Sequence, residues 1–540
     1  MRICLLTGGG YPFRRDALGG WCRTLVDGLP RFRFDLVTVT DREPPGGPAY
    51  ALPGHVASAR TVALSRETPR REGRDEHATA AASLVCAGLV TEQDDVFARG
   101  LMTLAALADS GTLTPGAAGA AGAAGAAGAA GAAGAAGAAG AARAGGWSAT
   151  RPDQTPAGAG SPLNAVPLAE VLLEAWRSGR SSGAGERLPR LSLRDARTAA
   201  TLLRHAARAL AVPLPEVDLV HCVGGTTPLL AALAGRWRTG TALLLTEARA
   251  PVAKLRANEE RLSPAVQTVL RRFRRAVART GYAEAGLIAP LSEYHHAWAL
   301  RHGAEPRRLV PVPAGVDPRD FPCAPEARTP PAIVWAGTGG PESGLRLLLE
   351  AFTRLAVAVP GAVLHLVGVT AAHEDHCAEQ VERTGLGRAI RLHPLPADPR
   401  DRYAAGHVVV HVPGPSDPPY RLIEAMMSGR AVVGVDVGPV AETLGDAGVV
   451  VPAQDPAALA EACAGLLTAP ARRRALGDAA RRRALACFTA DRVVRVYGAL
   501  YTDLAGPPPA PSYELALAVP APREARPATL RWLAGAGEER

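Results

Sequence analysis

Ser416-Asp417-Pro418-Pro419-Tyr420-Arg421-Leu422-Ile423-Glu424-Ala425-Met426-Met427-Ser428-Gly429-Arg430-Ala431-Val432-Val433 is the stretch from which the architecture is read. Paired prolines cannot sit inside a helix but readily precede one, so a turn at 418–419 feeds a helix start. That start presents unbonded backbone N–H groups to an anion. Glu424 stands about one turn in, and Arg421, three residues earlier, shares its helix face. Gly429 supplies the stop, and the β-branched run that follows reads as a buried strand.

The same succession of turn, helix, glycine and apolar run recurs on both sides of this stretch. Strands are expected at Arg2–Thr7, Phe34–Val39, Leu219–Val223, Ala242–Glu247, Gly286–Leu291, Leu309–Pro313, Ala332–Gly337, Val363–Gly368, Ile390–Pro394, Val408–Pro413, Ala431–Asp436 and Gly448–Pro452. Most are continuously apolar, as parallel strands covered on both faces are, and helical segments separate nearly all of them. This predicts an α/β protein of two doubly wound, Rossmann-like domains, with ligands at the carboxyl ends of the strands. The expected division is 1–313 and 314–488, a helix over 489–505 crossing back to the first domain, and a Pro/Ala-rich disordered tail over 506–540. A low-complexity insertion over about 111–190 carries nine Gly-Ala-Ala triplets (116–142), too poor in side chains to pack, and is interrupted by an amphipathic stretch, Leu163 to Trp176.

Composition fits this reading. With 540 residues, 47% hydrophobic and 21% charged, the chain has apolar material for two cores. A net charge of +9 would ordinarily direct attention to nucleic acid or a membrane surface. However, the 60 basic residues include one lysine, Lys254, and the chain has only two asparagines and five isoleucines. That bias points to GC-rich codons, and no nucleic-acid motif accompanies the charge, so no nucleic-acid partner is expected. The eight cysteines are scattered without a C-x-x-C pair, and no apolar run suits a signal peptide or a membrane span. A reduced, cytoplasmic protein follows, at most peripheral at the inner face of a membrane.

The segment around Glu424 resembles the donor site of retaining GT-B glycosyltransferases, the class of glycogen synthases and bacterial mannosyl- and glucosyltransferases. Supporting motifs are Gly337-Thr338-Gly339-Gly340-Pro341-Glu342-Ser343-Gly344 followed by Leu347 to Phe352, and Pro313-Ala314-Gly315-Val316-Asp317 at the domain junction. Thr7 to Pro12, Gly19-Gly20-Trp21 and Leu244-Leu245-Thr246-Glu247 look most like the Pel-type exopolysaccharide branch. The resemblance implies a GT-B architecture, its two Rossmann-like domains facing each other across a cleft, and hexose transfer from a nucleotide sugar to a glycan or small acceptor, without a metal or other cofactor. It places Glu424 on the nucleotide ribose, Arg421 and Tyr420 beside the donor, and Gly19, Gly20, Gly337, Thr338, Gly339, Gly340 and Ser343 near its diphosphate. Arg14, Arg15, Glu247, Ala248 and Gly315 would line the cleft.

Several residues of the class pattern are replaced. The glutamate that handles the transferred sugar has become Ser416, with Asp417 beside it; the arginine and lysine that neutralise the diphosphate are Thr338 and Ser343; the histidine facing the sugar is Ala248. Departure of a nucleoside diphosphate develops charge on phosphate oxygen, and loss of one preorganised donor to such charge costs about 10²–10³ in rate. Arg421, Arg14 and Arg15 are the candidate substitutes. The rival expectation is a catalytically degenerate homologue that binds a glycan or serves as a scaffold in exopolysaccharide assembly. The remaining features are read as surface: His373 and His376 as a solvated helix start with too few ligands for a metal, His295-His296 as helix surface, and the arginine runs 271–275, 472–474 and 481–483 as solvated faces.

Overall fold

Short apolar runs bounded by glycine become parallel strands in two six-stranded sheets. The first contains β1 (Arg2–Thr7), β2 (Arg33–Thr40), β3 (Val56–Ala63), β4 (Leu219–Val223), β5 (Ala242–Glu247) and β6 (Leu287–Pro290), in the order β3-β2-β1-β4-β5-β6. The second contains β7 (Ala332–Ala336), β8 (Val363–Val367), β9 (Ile390–His393), β10 (Val408–His411), β11 (Ala431–Val435) and β12 (Val449–Val451), in the order β12-β11-β10-β7-β8-β9. Both orders reverse direction once, between β1 and β4 and between β7 and β10. Such a reversal splays the flanking connections to opposite faces and opens a crevice at the strand ends. The structure, a computed structural model, describes residues 1–15, 17–41, 46–65, 75–110, 161–182, 188–248, 261–323, 326, 330–340, 343–414 and 417–505.

The helices of the first half are α1 (Ala17–Gly28), α2 (Glu76–Thr91), α3 (Asp94–Ser110), α4 (Leu168–Ser181), α5 (Leu193–Ala207), α6 (Thr226–Thr239), α7 (Pro264–Glu284) and α8 (Glu293–Arg301). Those of the second are α9 (Leu345–Ala358), α10 (Glu374–Glu382), α11 (Tyr420–Met427), α12 (Val440–Leu444), α13 (Pro456–Thr468), α14 (Pro470–Cys487) and α15 (Ala490–Ala505). One core fills the face of the first sheet under α2 to α7, and another the face of the second sheet under α9 and α13. A third is shared, joining Trp21 and Leu25 of α1 to Tyr420, Ile423 and Met426 of α11 and to Tyr497 and Tyr501 of α15. The two halves therefore meet through packed aromatic surface, with Trp21 against Tyr420 at 6.5 Å and against Tyr497 at 5.3 Å.

The chain passes between halves twice at one place. Val316 N donates to Phe488 O at 2.9 Å and Ala490 N to Val316 O at 3.0 Å. Gly315 makes this crossing possible: a Cβ there would lie 2.5 Å from Val493 Cγ2 and 2.7 Å from Thr489 O. α15 then returns to the first sheet, where Tyr501 and Tyr497 enter a buried network with His221 and Thr246.

Four expectations change. Leu309–Pro313 does not become a ladder strand; Val310 N and Val312 N bond the edge of β6 at 2.8 and 2.9 Å, while Pro311 and Pro313 have no N–H to extend the pairing. β3 arises from a sequence of small and polar residues, VASARTVA, that carries no apolar run. The amphipathic stretch expected over Leu163 to Trp176 shifts in its bounds: it becomes α4, which starts at Leu168, runs on to Ser181 and buries Leu168, Leu172 and Trp176, with the Trp176 indole donating to Pro189 O at 2.9 Å. The Gly-Ala-Ala triplets and the 506–540 tail lie outside the described residues. Finally, the arginine runs are not simply solvated. Arg272 is buried on the carbonyls of Leu89 and Val90, Arg473 pairs with Glu326 at 2.7 Å and holds Leu466 O and Leu467 O, and Arg483 holds Thr443 O.

Candidate active site

The crevice of the second sheet is built from the ends of β7, β8 and β10 and from α11. After β7 the chain enters Gly337-Thr338-Gly339-Gly340, where large side chains are excluded on physical grounds. A Cβ at Gly337 would fall 2.0 Å from the Trp335 ring, and Gly339, at φ +80°, would meet Cys377 Sγ at 2.3 Å. Carbonyls of this loop are tied back. Arg421 Nη1 donates to Ala336 O at 3.1 Å, Thr370 N to Thr338 O at 3.2 Å, Cys377 Sγ to Gly339 O at 3.4 Å and Ser343 N to Gly340 O at 2.9 Å. Gly337 N is held by Val367 O at 2.9 Å, whereas the N–H groups of Thr338, Gly339 and Gly340 donate to no acceptor among the described residues. Consecutive unbonded amides form an anion-binding concavity.

α11 brings its own charges to that loop. It starts at Tyr420 after Pro418-Pro419 and ends at Gly429, whose φ of +70° closes it. Arg421 makes one hydrogen bond among the described residues, the one to Ala336 O, so its other guanidinium nitrogens remain available at the base of the loop. Burial and the Arg421 charge push His411, at the end of β10, well below the ordinary histidine range. Glu424 is buried, and its Oε2 accepts from Arg402 Nη1 and from Tyr403 OH, the latter at 3.0 Å. Glu424 and Tyr403 raise the affinity of Arg402 for its proton despite its burial, so the pair is ionic. Oε1 of Glu424 makes no bond among the described residues.

The sequence-predicted residues fall into separate groups. Arg421, Glu424, Gly337, Thr338, Gly339, Gly340 and Ser343 come together as described. Tyr420 is buried against Trp21, which brings Gly19 and Gly20, in the first turn of α1, to the same interface. Ser416 lies outside the described residues, and Asp417 closes a turn by accepting from Gly414 N at 2.9 Å. Arg15 donates to Ala49 O at 3.2 Å and lies 6.0 Å from the Tyr50 ring, while Arg14 is exposed nearby. Glu247 ends β5 and accepts from Tyr282 OH at 2.7 Å, with Ala248 buried beside Gly224. Gly315 belongs to the crossing between halves.

Sequence reasoning missed Arg402, Tyr403, Thr370 and His373. The first two are 22 and 21 residues before Glu424 and no local pattern links them to it. The i, i+4 spacing of His373 and Cys377 was the one local signal, and it does not by itself turn either toward the glycine loop. His373 Nδ1 lies 3.3 Å from Thr338 O and 2.9 Å from Thr370 Oγ1, so the half-buried ring at the solvated start of α10 also faces the glycine loop. His295 is likewise no surface residue: it is fully buried, and burial takes it down to about 4. Among the described residues no three His, Cys, Asp or Glu side chains converge as metal ligands, and no helix is long and apolar enough to cross a membrane.

Residues 330–469 match the family described as glycosyl transferases group 1, and residues 1–106 and 182–307 match a domain of unknown function, DUF3492. No curated protein matches the sequence. Among solved structures, the sucrose-phosphate synthase of Thermosynechococcus elongatus is 17% identical with a TM-score of 0.55, over 93% of this chain and 99% of that one. HepE of Anabaena, solved with UDP and glucose, is 17% identical with a TM-score of 0.45, over 57% of this chain and 81% of its own. A glycosyltransferase from Rickettsia africae is 17% identical with a TM-score of 0.43, over 54% of this chain and 77% of its own. The first of these likenesses shows the same two-domain fold.

Proposed function

We propose that this chain, whose residues 330–469 match the glycosyl transferases group 1 family and whose two-domain fold is that of sucrose-phosphate synthase, is a GT-B glycosyltransferase that transfers a hexose from a nucleotide sugar to a glycan or small acceptor with retention of anomeric configuration. One observation carries the proposal: Arg421 reaches Ala336 O, at the foot of a loop whose amides at 338–340 have no acceptor among the described residues. A guanidinium and three N–H groups would then be offered where a leaving diphosphate gathers charge, and preorganised donors at such a point are the largest single source of rate. Arg421 thereby supplies a cation that Thr338 and Ser343 do not. The unbonded Oε1 of Glu424 is suited to a ribose hydroxyl, because a carboxylate accepts from two such groups at once. Gly19 and Gly20, at the start of α1, would approach the diphosphate from the other half.

No metal or organic cofactor is needed in this scheme. The acceptor would enter from the first-sheet side of the crevice, near Glu247 and Ala248, and a role at a membrane face or in exopolysaccharide assembly would concern that acceptor. The test is calorimetric titration of the full chain with UDP, GDP and their hexose conjugates, followed by NMR of the anomeric proton in any product. Saturable binding of one nucleoside diphosphate, with release from its sugar conjugate, is expected. A chain that binds none of them at millimolar concentration is a scaffold and not a transferase.

A further inference from the structure

His373 stands at the other end of the same loop from Arg421. Its Nδ1 is 2.9 Å from Thr370 Oγ1 and 3.3 Å from Thr338 O, two groups that fix the ring from one side. The opposite edge lies along Gly340: a Cβ at that residue would be 3.3 Å from His373 Cε1 and 3.5 Å from Nε2. Glycine at 340 is thus what lets the imidazole edge reach the loop. Thr338 O can only accept, and Thr370 Oγ1 donates to it at 3.4 Å, so the neutral ring carries its proton on Nδ1 and Nε2 accepts; when the ring is charged, both nitrogens donate. Only the charged form turns a hydrogen-bond donor away from the Thr370 side. Cys377, in the first turn of α10, is buried against Gly339 O, so the start of that helix, which His373 caps, is packed onto the loop.

We propose that His373 is a phosphate ligand of the donor site, donating from Nε2 to the diphosphate opposite Arg421. The inference rests on the nucleotide-sugar reading above and extends it, by assigning the second of the two missing cationic contacts to a side chain from a different strand connection. Guanidinium and imidazole would then bracket the loop, one at Ala336 and the other at Thr338. The negative charge of a bound phosphate favours the protonated ring and makes its bond charge-assisted. Glu374 and Asp375, exposed at the start of α10, and Arg421 at the loop's base are the charges around it.

A phosphate ladder tests this in the full chain, with Kd measured for uridine, UMP and UDP, or for the guanosine series if that base is preferred. His373→Ala should leave nucleoside affinity unchanged and weaken the diphosphate about tenfold, the size of one hydrogen bond to a charged group. His373→Gln, which keeps a donor but no charge, should fall between the two. If His373→Ala loses nucleoside and diphosphate affinity equally, or loses neither, the assignment is overturned while the donor-site reading stands. If the parent chain binds no nucleoside diphosphate, both fall. Should the alanine variant melt early, the glutamine variant decides, since a structural role predicts no dependence of its defect on phosphate number.

Discussion

The two sheets share one strand order but treat their crevices in opposite ways. In the first, side chains close the strand ends. His221 bonds Tyr501 OH and Thr246 Oγ1, both at 2.7 Å, Thr246 also meets Tyr497 OH at 2.7 Å, and Glu247 takes Tyr282 OH. The Tyr11 carbonyl accepts from Thr7 and Thr38. In the second, carbonyls are tied back while three amides, much of Arg421 and one oxygen of Glu424 have no partner among the described residues. Topology opens a crevice in both places; the first is largely filled by this network, though the Tyr11 hydroxyl and the Trp21 indole find no partner among the described residues, and the second presents its donors to a ligand. Substitutions at His221, Thr246 and Tyr501 should therefore alter stability, and those in the second crevice should alter binding and rate.

Glu424 should break this division, because it serves both purposes, and it carries the largest effect. Its Oε2 neutralises Arg402, a side chain only 16% exposed that lies 5.7 Å from the Phe321 ring. Glu424→Ala strands that charge, and breaking a buried pair from one side costs about 3–5 kcal/mol. Urea unfolding should show that loss together with weakened nucleotide affinity. Adding Arg402→Met should restore most of the stability and none of the affinity. Recovery of both would show that Glu424 acts only as the partner of Arg402.

Legibility from sequence follows the same line. The strands of both sheets were readable because burial on two faces demands continuous apolar runs, and the turn into α11 because paired prolines admit few conformations. β3 was hidden, since a half-exposed edge strand of small and polar residues has no such demand on it. Within the site, Glu424 and the glycines were readable through the resemblance of their motifs to a known family, and Arg421 from its place three residues before Glu424 on the same helix face. Arg402, Tyr403 and Thr370 were not, because long-range pairing between strand connections leaves no periodic trace in the chain. The loss of charge at Thr338 and Ser343 was legible, as was Arg421 as a candidate substitute, whereas His373 comes to the same loop only through the fold.

Arg421→Met sharpens the contrast from the side of function. The guanidinium makes one hydrogen bond among the described residues, to Ala336 O, so removing it should cost the fold about 1 kcal/mol. Turnover of the preferred nucleotide sugar should fall about 10²–10³-fold, as for other preorganised donors to a developing charge. A rate loss below tenfold would mean that the diphosphate is neutralised elsewhere and that the second crevice is not set apart by this residue.

The smallest effect lies in the first crevice and is a matter of pH. Burial lowers His221 to about 3, so the folded chain holds it neutral while the unfolded chain titrates it near the ordinary value of 6.5. Between those values the unfolded state binds the extra proton. Stability therefore rises with pH across that window; the contribution is whole above about 6.5 and is lost as pH falls toward 3. At pH 5 the loss from this one group is about 2 kcal/mol. His221→Gln can hydrogen-bond both neighbours but cannot titrate, so its urea midpoint should fall less between pH 7 and pH 5 than that of the parent, by about that amount. His295 and His365, lowered to about 4 by burial, give both chains a common background slope. Nucleotide affinity at pH 7 should be the same in both, because His221 lies in a network closed by α15 and not at the open loop. A variant that keeps the parent's full pH slope would remove His221 as the source. One that loses affinity for the diphosphate would show that the first crevice is not merely structural.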